Sequence, residues 1–175
     1  EAKIRRSSPA YAALTQPTPL RVDALRKRVL DDETVLIEFA LGAKRSWLWA
    51  LTKTELVSAP LPPAEELERA ARRLYARVSE RPSAGATAAA EEEASKLGTL
   101  LLQPIAAKLS GPWRGRRLAI VPTGALAFVP FGILPVPAAG NRLIDDHELV
   151  SLPSASVLAL IRGESSRSRP ASARL

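Results

Sequence analysis

The short apolar run at residues 118–121 (LAIV) is the feature that most constrains how this chain can fold. It follows the basic pair Arg116-Arg117 and is stopped by Pro122-Thr123-Gly124. A run this short and this apolar is typical of a strand buried on both faces, as in a parallel sheet covered by helices. Proline ends the strand because it has no N–H to donate, and the glycine serves the turn that follows. We therefore expect an α/β fold built around this strand.

The segment after the turn is apolar again but broken. Residues 125–134 contain Pro130 and Gly132, which exclude a long helix or a central strand. We expect a turn, a short extended piece and one helical turn that carries Phe131, Ile133 and Leu134 into the core. Because side chains in such segments usually fill a core, we assign no chemistry to them.

Length and composition favour one globular domain. The chain has 175 residues, of which 46% are hydrophobic and 25% charged, enough for a core of its own. No apolar run approaches the roughly 20 residues of a membrane span. Residues 1–8 are charged and lack the apolar segment of a secretory signal. We predict a cytoplasmic protein that does not bind membranes.

Three residue counts limit the chemistry. The chain has no Met, so we expect it to be a piece of a longer protein or a processed product. It has no Cys, which excludes a disulfide, a thiolate metal site and a cysteine nucleophile within these residues. The single histidine, His147, lies among acids, and we expect it at the surface without a catalytic role. We predict no catalytic residue, no metal site and no cofactor in this chain.

The net charge of +7 raises the question of an acidic partner. The basic residues are spread from Lys3 to Arg174 and are not concentrated in one stripe with interleaved aromatic residues. Nucleic acid is therefore not an expected partner. A nucleic-acid adaptor would bind in a way that weakens steeply with salt.

The first half of the chain predicts a hairpin. Residues 34–40 and 46–51 alternate β-branched and apolar residues around a turn-like segment, which favours two antiparallel strands. The acids at residues 31–33 (DDE) precede them, and we interpret these acids as a solvated turn rather than as metal ligands or an acid–base pair. Trp47 and Trp49 fall on one face of the second strand. They could form a ligand-stacking shelf, although such a pair more often covers a hydrophobic core.

The segment after the hairpin region has apolar residues at the spacing of helices. Pro62-Pro63 favours a helix start, and a flexible joint at residues 79–86 separates this helix from a second one that begins at Thr87 or Ala88. Pro104 should kink or split the second helix. Other expected elements are a helix at residues 22–29, strands at 56–60 and 149–152, a loop at 136–141 and a helix capped by Ser154. The predicted buried stripes are Leu67, Ala70, Ala71, Leu74 and Val78 on the first long helix and Leu97, Leu101, Ile105 and Leu109 on the second.

Four separate pieces of the chain resemble, in order, the front part of a CHAT domain, the caspase-like domain that commonly follows tetratricopeptide repeats. They are DDETVLIE and SWLW in the hairpin (residues 31–38 and 46–49), LLQPI (101–105), LAIVPTGAL with VPF (118–126 and 129–131), and LPSASVL (152–158). The resemblance extends over residues 10–162 of the sequence. Thr123 stands where an acidic residue is expected before Gly124.

The resemblance implies a caspase-haemoglobinase-like α/β sheet with flanking helices and an N-terminal β-hairpin, of which only part is present. It also implies a cysteine endopeptidase whose histidine lies in a His-Gly motif and whose cysteine lies in a Ser-Ala-Cys type motif, both on later strands. Neither motif occurs here. The chain would then be a non-catalytic portion that the remaining C-terminal part of the domain completes. The alternative is a degenerate CHAT domain that only binds other proteins.

The resemblance implies three regions in the chain. Residues 1–20 would be a linker from an upstream region, residues 21–162 the N-terminal portion of the CHAT domain, and residues 163–175 a flexible Ser/Arg/Pro-rich loop or processing linker. Because cleavage concentrates in flexible loops, Arg167 and Arg174 are possible processing sites; an arbitrary boundary explains the chain end equally well. The implied partners are the rest of the domain, upstream tetratricopeptide repeats or a regulatory protein, and a protein or peptide substrate.

Overall fold

A computed structural model describes residues 21–28, 30–81 and 83–157. Within these ranges, short 3-10 turns at Gln103–Ile105, Gly124–Phe128 and Phe131–Ile133 connect the regular elements. The helices and strands are, in chain order, α1 (Val22–Arg28), β1 (Thr34–Ala40), β2 (Ser46–Leu51), β3 (Leu56–Leu61), α2 (Ala64–Val78), α3 (Ala84–Leu102), α4 (Ala106–Leu109), β4 (Arg117–Val121), α5 (Leu143–Asp146) and β5 (Leu149–Ser151).

A five-stranded mixed sheet of order β3-β2-β1-β4-β5 organises these elements. β1, β2 and β3 form two consecutive antiparallel pairs, whereas β4 runs parallel to both β1 and β5. The predicted α/β fold with an N-terminal hairpin and a first parallel strand is confirmed, and so is the third strand of the hairpin region.

β4 is buried on both faces, as its composition predicted. Leu118 and Ile120 belong to the main buried cluster on one face, and Ala119 and Val121 to a second cluster on the other. Pairing joins Leu118 of β4 to Val35 of β1. Each face of β4 packs against apolar side chains, which explains why the strand is apolar on both faces.

Helices α2 and α3 cover the first face of the sheet. α2 follows Pro63 and carries Glu65 and Glu66 in its first turn, where the helix dipole favours acids. Val78, however, is 40% exposed, so the predicted stripe ends one turn early. The remaining predicted stripe residues are buried on both helices: Leu67, Ala70, Ala71 and Leu74 on α2, and Leu97, Leu101, Ile105 and Leu109 along α3 and its continuation.

The start of α3 differs from the prediction. The helix begins at Ala84 and not at Thr87 or Ala88, so part of the predicted joint at residues 79–86 is helical. The cause is the side chain of Ser83, whose hydroxyl oxygen accepts a hydrogen bond from the Ala86 N–H at 3.1 Å. This N-cap outweighs the low helix propensity of the glycine in the first turn.

Pro104 splits the helical segment as predicted. α3 ends at Leu102, the 3-10 turn Gln103–Ile105 contains the proline, and α4 resumes at Ala106. Proline removes a helical hydrogen bond and crowds the preceding turn, which explains the interruption.

The turn after β4 closes one end of the core. Gly124 has a φ of +56°, a conformation that glycine adopts without steric cost. The Phe131 ring then stacks on Phe39 of β1, with centroids 5.7 Å apart. Phe131 and Leu134 are buried and Ile133 is partly buried, so the expected short turns that feed the core are confirmed.

The second face of the sheet is covered over part of its area. Leu36 and Leu51 of the hairpin contribute to a small cluster there, beside Ala119 and Val121 of β4. This cluster is completed by Leu25, Leu30, Leu152 and Ala155. The covering comes from α1 and from the segment after β5, whereas the β2–β3 side of this face carries half-buried and exposed side chains.

Candidate functional site

The carboxyl ends of the parallel strands are where open α/β sheets most often bind ligands. At this edge the Thr123 hydroxyl donates a hydrogen bond to the Phe39 carbonyl at 3.2 Å. The Ser154 hydroxyl oxygen accepts a hydrogen bond from the Val157 N–H at 3.2 Å, which confirms its predicted role as an N-cap. Both hydroxyls are thus engaged with the backbone, and neither is prepared as a nucleophile.

His147 is buried, and its predicted surface position is wrong. The residue is 6% exposed, and its Nδ1 lies 2.9 Å from the Arg116 carbonyl oxygen. That carbonyl can only accept, so Nδ1 carries a proton. The reason for the burial is α5, a short helix that the sequence reading did not predict. The helix ends at Asp146, and the backbone N–H of the next residue, His147, donates to the Leu143 carbonyl at 2.9 Å.

The position of His147 limits what it can do. It lies just before β5, whereas Ser154 follows this strand at its other end. Its Nε2 is buried and has no hydrogen-bond partner within residues 21–28, 30–81 and 83–157. In the described part of the chain, His147 is therefore not paired with a nucleophile.

Ion pairs fasten the β5 region to β4. A hydrogen bond from the Asn141 side chain and the neighbouring Arg114 guanidinium hold the pKa of Asp146 below its usual range, with Arg114 Nη2 2.9 Å from the carboxylate. Arg117 Nη2 lies 2.8 Å from Glu148 Oε2, and this pairing likewise lowers the pKa of the Glu148 carboxyl. These groups are partnered at the protein surface, so they anchor the strand and are not poised for acid–base chemistry.

The acids at residues 31–33 form no metal centre. Asp32 and Glu33 are exposed, and Asp32 makes an exposed ion pair with Lys53 at 3.3 Å. Across the described ranges, no group of three or more His, Cys, Asp or Glu side chains is arranged to hold a metal ion.

Trp47 and Trp49 share one face of β2, as predicted, but they cover no core formed by the described residues. Neither belongs to the two buried clusters, and Trp49 is 36% exposed. The interpretation of this pair as core cover is therefore wrong. Trp49 is paired across the hairpin with Glu38, a residue to which the sequence reading assigned no role. The available signal was that Glu38 is the one charged residue in the sequences of β1, β2 and β3.

Three sequence-based predictions fall outside the described residues. The predicted Ser/Arg/Pro-rich loop at residues 163–175 and the possible processing sites Arg167 and Arg174 lie beyond residue 157, and the predicted linker at residues 1–20 precedes the described part. Within the described ranges, no helix combines the length and apolar character needed to cross a bilayer.

Fold and site together define an α/β protein with a mixed sheet, flanking helices and, among its described residues, no nucleophile paired with a base. A family model described as CHAT domain matches residues 91–174. Over these residues the chain is therefore similar to a CHAT domain, as the resemblance implied. The match starts within α3 and includes β4 and β5. No individual curated protein matches the chain.

Proposed function

We propose that this chain is the structural, non-catalytic portion of a caspase-like CHAT cysteine endopeptidase, completed by a C-terminal segment that carries the His/Cys dyad. The observation that carries the proposal is the position of β5. This strand of three residues lies at one border of the described sheet, with β4 as its only strand neighbour there. Parallel strands are normally interior, so this border is suited to receive another strand.

The hydrogen bonds of β5 identify the groups available for such a strand. The Leu118 N–H donates to the Glu148 carbonyl, and the Leu152 N–H donates to the Ile120 carbonyl, each at 2.8 Å. Peptide groups alternate in direction along a strand, so those of Leu149 and Ser151 point away from β4. We infer that they bind the strand that completes the sheet.

The chemistry of the chain is consistent with a supporting role. A cysteine peptidase needs a thiolate within hydrogen-bond reach of a base, and this chain has no Cys. A catalytic pair must therefore come from other polypeptide. The family further suggests a cytoplasmic enzyme with a protein or peptide substrate, regulated by upstream tetratricopeptide repeats or a partner protein. Maturation by cleavage after Arg167 or Arg174 would fit that scheme.

A degenerate CHAT domain that only binds proteins is the second candidate. The exposure of Trp49 favours it, because aromatic residues are enriched in binding surfaces. The two candidates differ in one measurable property. The first requires hydrolysis once the domain is complete, and the second does not.

The experiment is to express this chain and the following segment of the parent protein as two separate polypeptides. We expect them to co-elute, to melt together, and to hydrolyse a pool of quenched fluorescent peptides only when combined. Replacing the cysteine of the following segment by alanine should abolish hydrolysis and leave the complex intact. Complex formation without hydrolysis by the unaltered pair would favour the binding module. A chain that melts cooperatively alone and ignores the segment would contradict the first candidate.

A matched pair of variants tests the role of β5. Ser151→Pro removes the outward N–H of the strand, whereas Ser151→Thr keeps it. We expect the proline variant to lose co-elution and the threonine variant to retain it.

A further inference from the structure

The part of the second sheet face that carries Trp47 and Trp49, here called the tryptophan face, has no described element packed over it. The register places Trp49 between Glu38 of β1 and Ser58 of β3, and it places Trp47 beside Pro60 of β3. Ser58 and Pro60 are exposed, and Trp47 is half-buried. Solvent thus reaches a surface that carries two indole rings beside Ser58 and Pro60.

Glu38 places a single carboxylate on the tryptophan face. It is half-buried, with Val121 of β4 as its register partner on one side and Trp49 on the other. No described group forms a hydrogen bond or ion pair with its carboxylate, and burial raises the pKa of Glu38. A carboxylate held among apolar side chains without a counter-ion is costly to keep charged, and a cation brought to it removes part of that cost.

The nearby cations do not serve this purpose. Arg45, in the turn before β2, lies with its guanidinium 5.9 Å from the centre of the Trp47 ring. Lys53, at the far end of β2, pairs with Asp32. The charge of Glu38 is therefore available to a cation from outside the described residues.

We propose that the tryptophan face binds a polypeptide segment that presents one Arg or Lys within an apolar side, with the cation paired to Glu38 and its apolar neighbours covering Trp47 and Trp49. A lone carboxylate lacks the ligands that a divalent cation needs. It would also repel the anionic head groups of a lipid surface. An Arg or Lys matches both the carboxylate and the indole rings. Its cationic group pairs with Glu38, while its aliphatic stem and the neighbouring apolar residues lie on the rings.

This surface is distinct from the border proposed to receive another strand. The tryptophan face lies on β1, β2 and β3, whereas β5 is the last strand at the opposite edge of the described sheet. The inference therefore does not depend on the proposed peptidase scaffold. A variant that weakens binding here should leave assembly through β5 unchanged.

The test uses the full chain as bait for a phage-displayed library of random linear peptides. We expect the selected peptides to share one Arg or Lys flanked by apolar residues. Synthetic versions should bind the Glu38→Gln variant about tenfold more weakly, the effect of losing one charge-assisted hydrogen bond. Trp49→Ser should also weaken binding. Glu66→Gln is the matched control, because Glu66 is an exposed acid on α2, and it should leave binding unchanged.

A charge reversal makes the test decisive. Selection on Glu38→Lys should enrich peptides with Asp or Glu in place of Arg or Lys. If Glu38→Lys fails to fold by circular dichroism, the isosteric Glu38→Gln comparison decides alone. Selected peptides without a basic residue, equal binding to Glu38→Gln, or no enrichment on the folded chain would overturn the proposal. Self-association of the chain that buries Trp49, measured by light scattering and by tryptophan quenching, would overturn it as well.

Discussion

Gly98 of α3 faces the backbone of Pro135 so closely that a Cβ atom at this glycine would lie 2.7 Å from the Pro135 carbonyl oxygen. Glycine in a helix interior normally costs stability relative to alanine. Here it permits a close approach between the helix and the segment that follows the second 3-10 turn after β4. The contact is backbone on one side, so it cannot be relieved by a change of rotamer.

Gly98→Ala should therefore destabilise the protein, by about 1–3 kcal/mol of unfolding free energy, as overpacking in a core usually does. Urea denaturation followed by circular dichroism measures the difference. Gly85→Ala is the matched control, because nothing lies within 4 Å of a Cβ at that position of the same helix. It should stabilise by about 0.4–1 kcal/mol. Equal effects of the two substitutions would contradict the close approach.

Leu118→Ala tests the interior position of β4. Leu118 is fully buried in the main cluster, so its truncation should cost about 2–5 kcal/mol. Leu56→Ala, on the edge strand β3 where the side chain is 44% exposed, should cost well under half of that. Thermal and urea unfolding of both variants provides the comparison. Similar losses would mean that β4 is not the buried centre of the sheet.

Glu38→Gln should change how stability depends on pH. Burial raises the pKa of Glu38 in the folded protein, so the folded state binds this proton more tightly than the unfolded chain does. Wild-type stability should then fall as the pH rises through the titration of this carboxyl. The glutamine variant should lack that loss, with an advantage at neutral pH that disappears in acid below the ordinary glutamate pKa. Urea titrations at several pH values measure it, and an advantage that persists unchanged in acid would argue against this cause.

Asp146→Asn should have the opposite pH signature. The Asn141 and Arg114 side chains lower the pKa of Asp146, so its contribution to stability is present above the ordinary aspartate pKa and is lost as the pH falls through the lowered value. The variant should be less stable at neutral pH and should converge with the wild type in strong acid. Asp32→Asn, at an exposed ion pair, is the control and should change stability little at either pH. Equal curves for both variants would contradict the anchoring role of Asp146.

Much of the fold could be predicted because its strongest patterns are local. The run at residues 118–121 is apolar on both faces only because both faces are covered, and Pro104 interrupts a helix through covalent geometry alone. The start of α3 differs from the predicted one because one hydroxyl, that of Ser83, outweighs the low helix propensity of Gly85. A single capping hydrogen bond leaves no periodic signal in the sequence, so periodicity alone does not predict it.

The candidate surface was harder to foresee, since it depends on what lies over each face. Trp49 and Glu38 have the alternation of an ordinary strand, and only the register and the reach of α1 leave them uncovered. The burial of His147 differs from its predicted surface position for a similar reason. Asp145 and Glu148 beside it are exposed, whereas the His147 ring is buried, with its Nδ1 2.9 Å from the carbonyl oxygen of Arg116 just before β4.

The pairing of Val35 with Leu118 also determines the order in which the chain can fold. The hairpins of β1, β2 and β3 join near neighbours, but the parallel pair cannot form until the long intervening segment has closed, and such closure is slow. Until then the inner edge of β1 is unpaired and its apolar side chains are uncovered. Refolding at high concentration should therefore lose material to aggregation through this edge, and dilution should recover it.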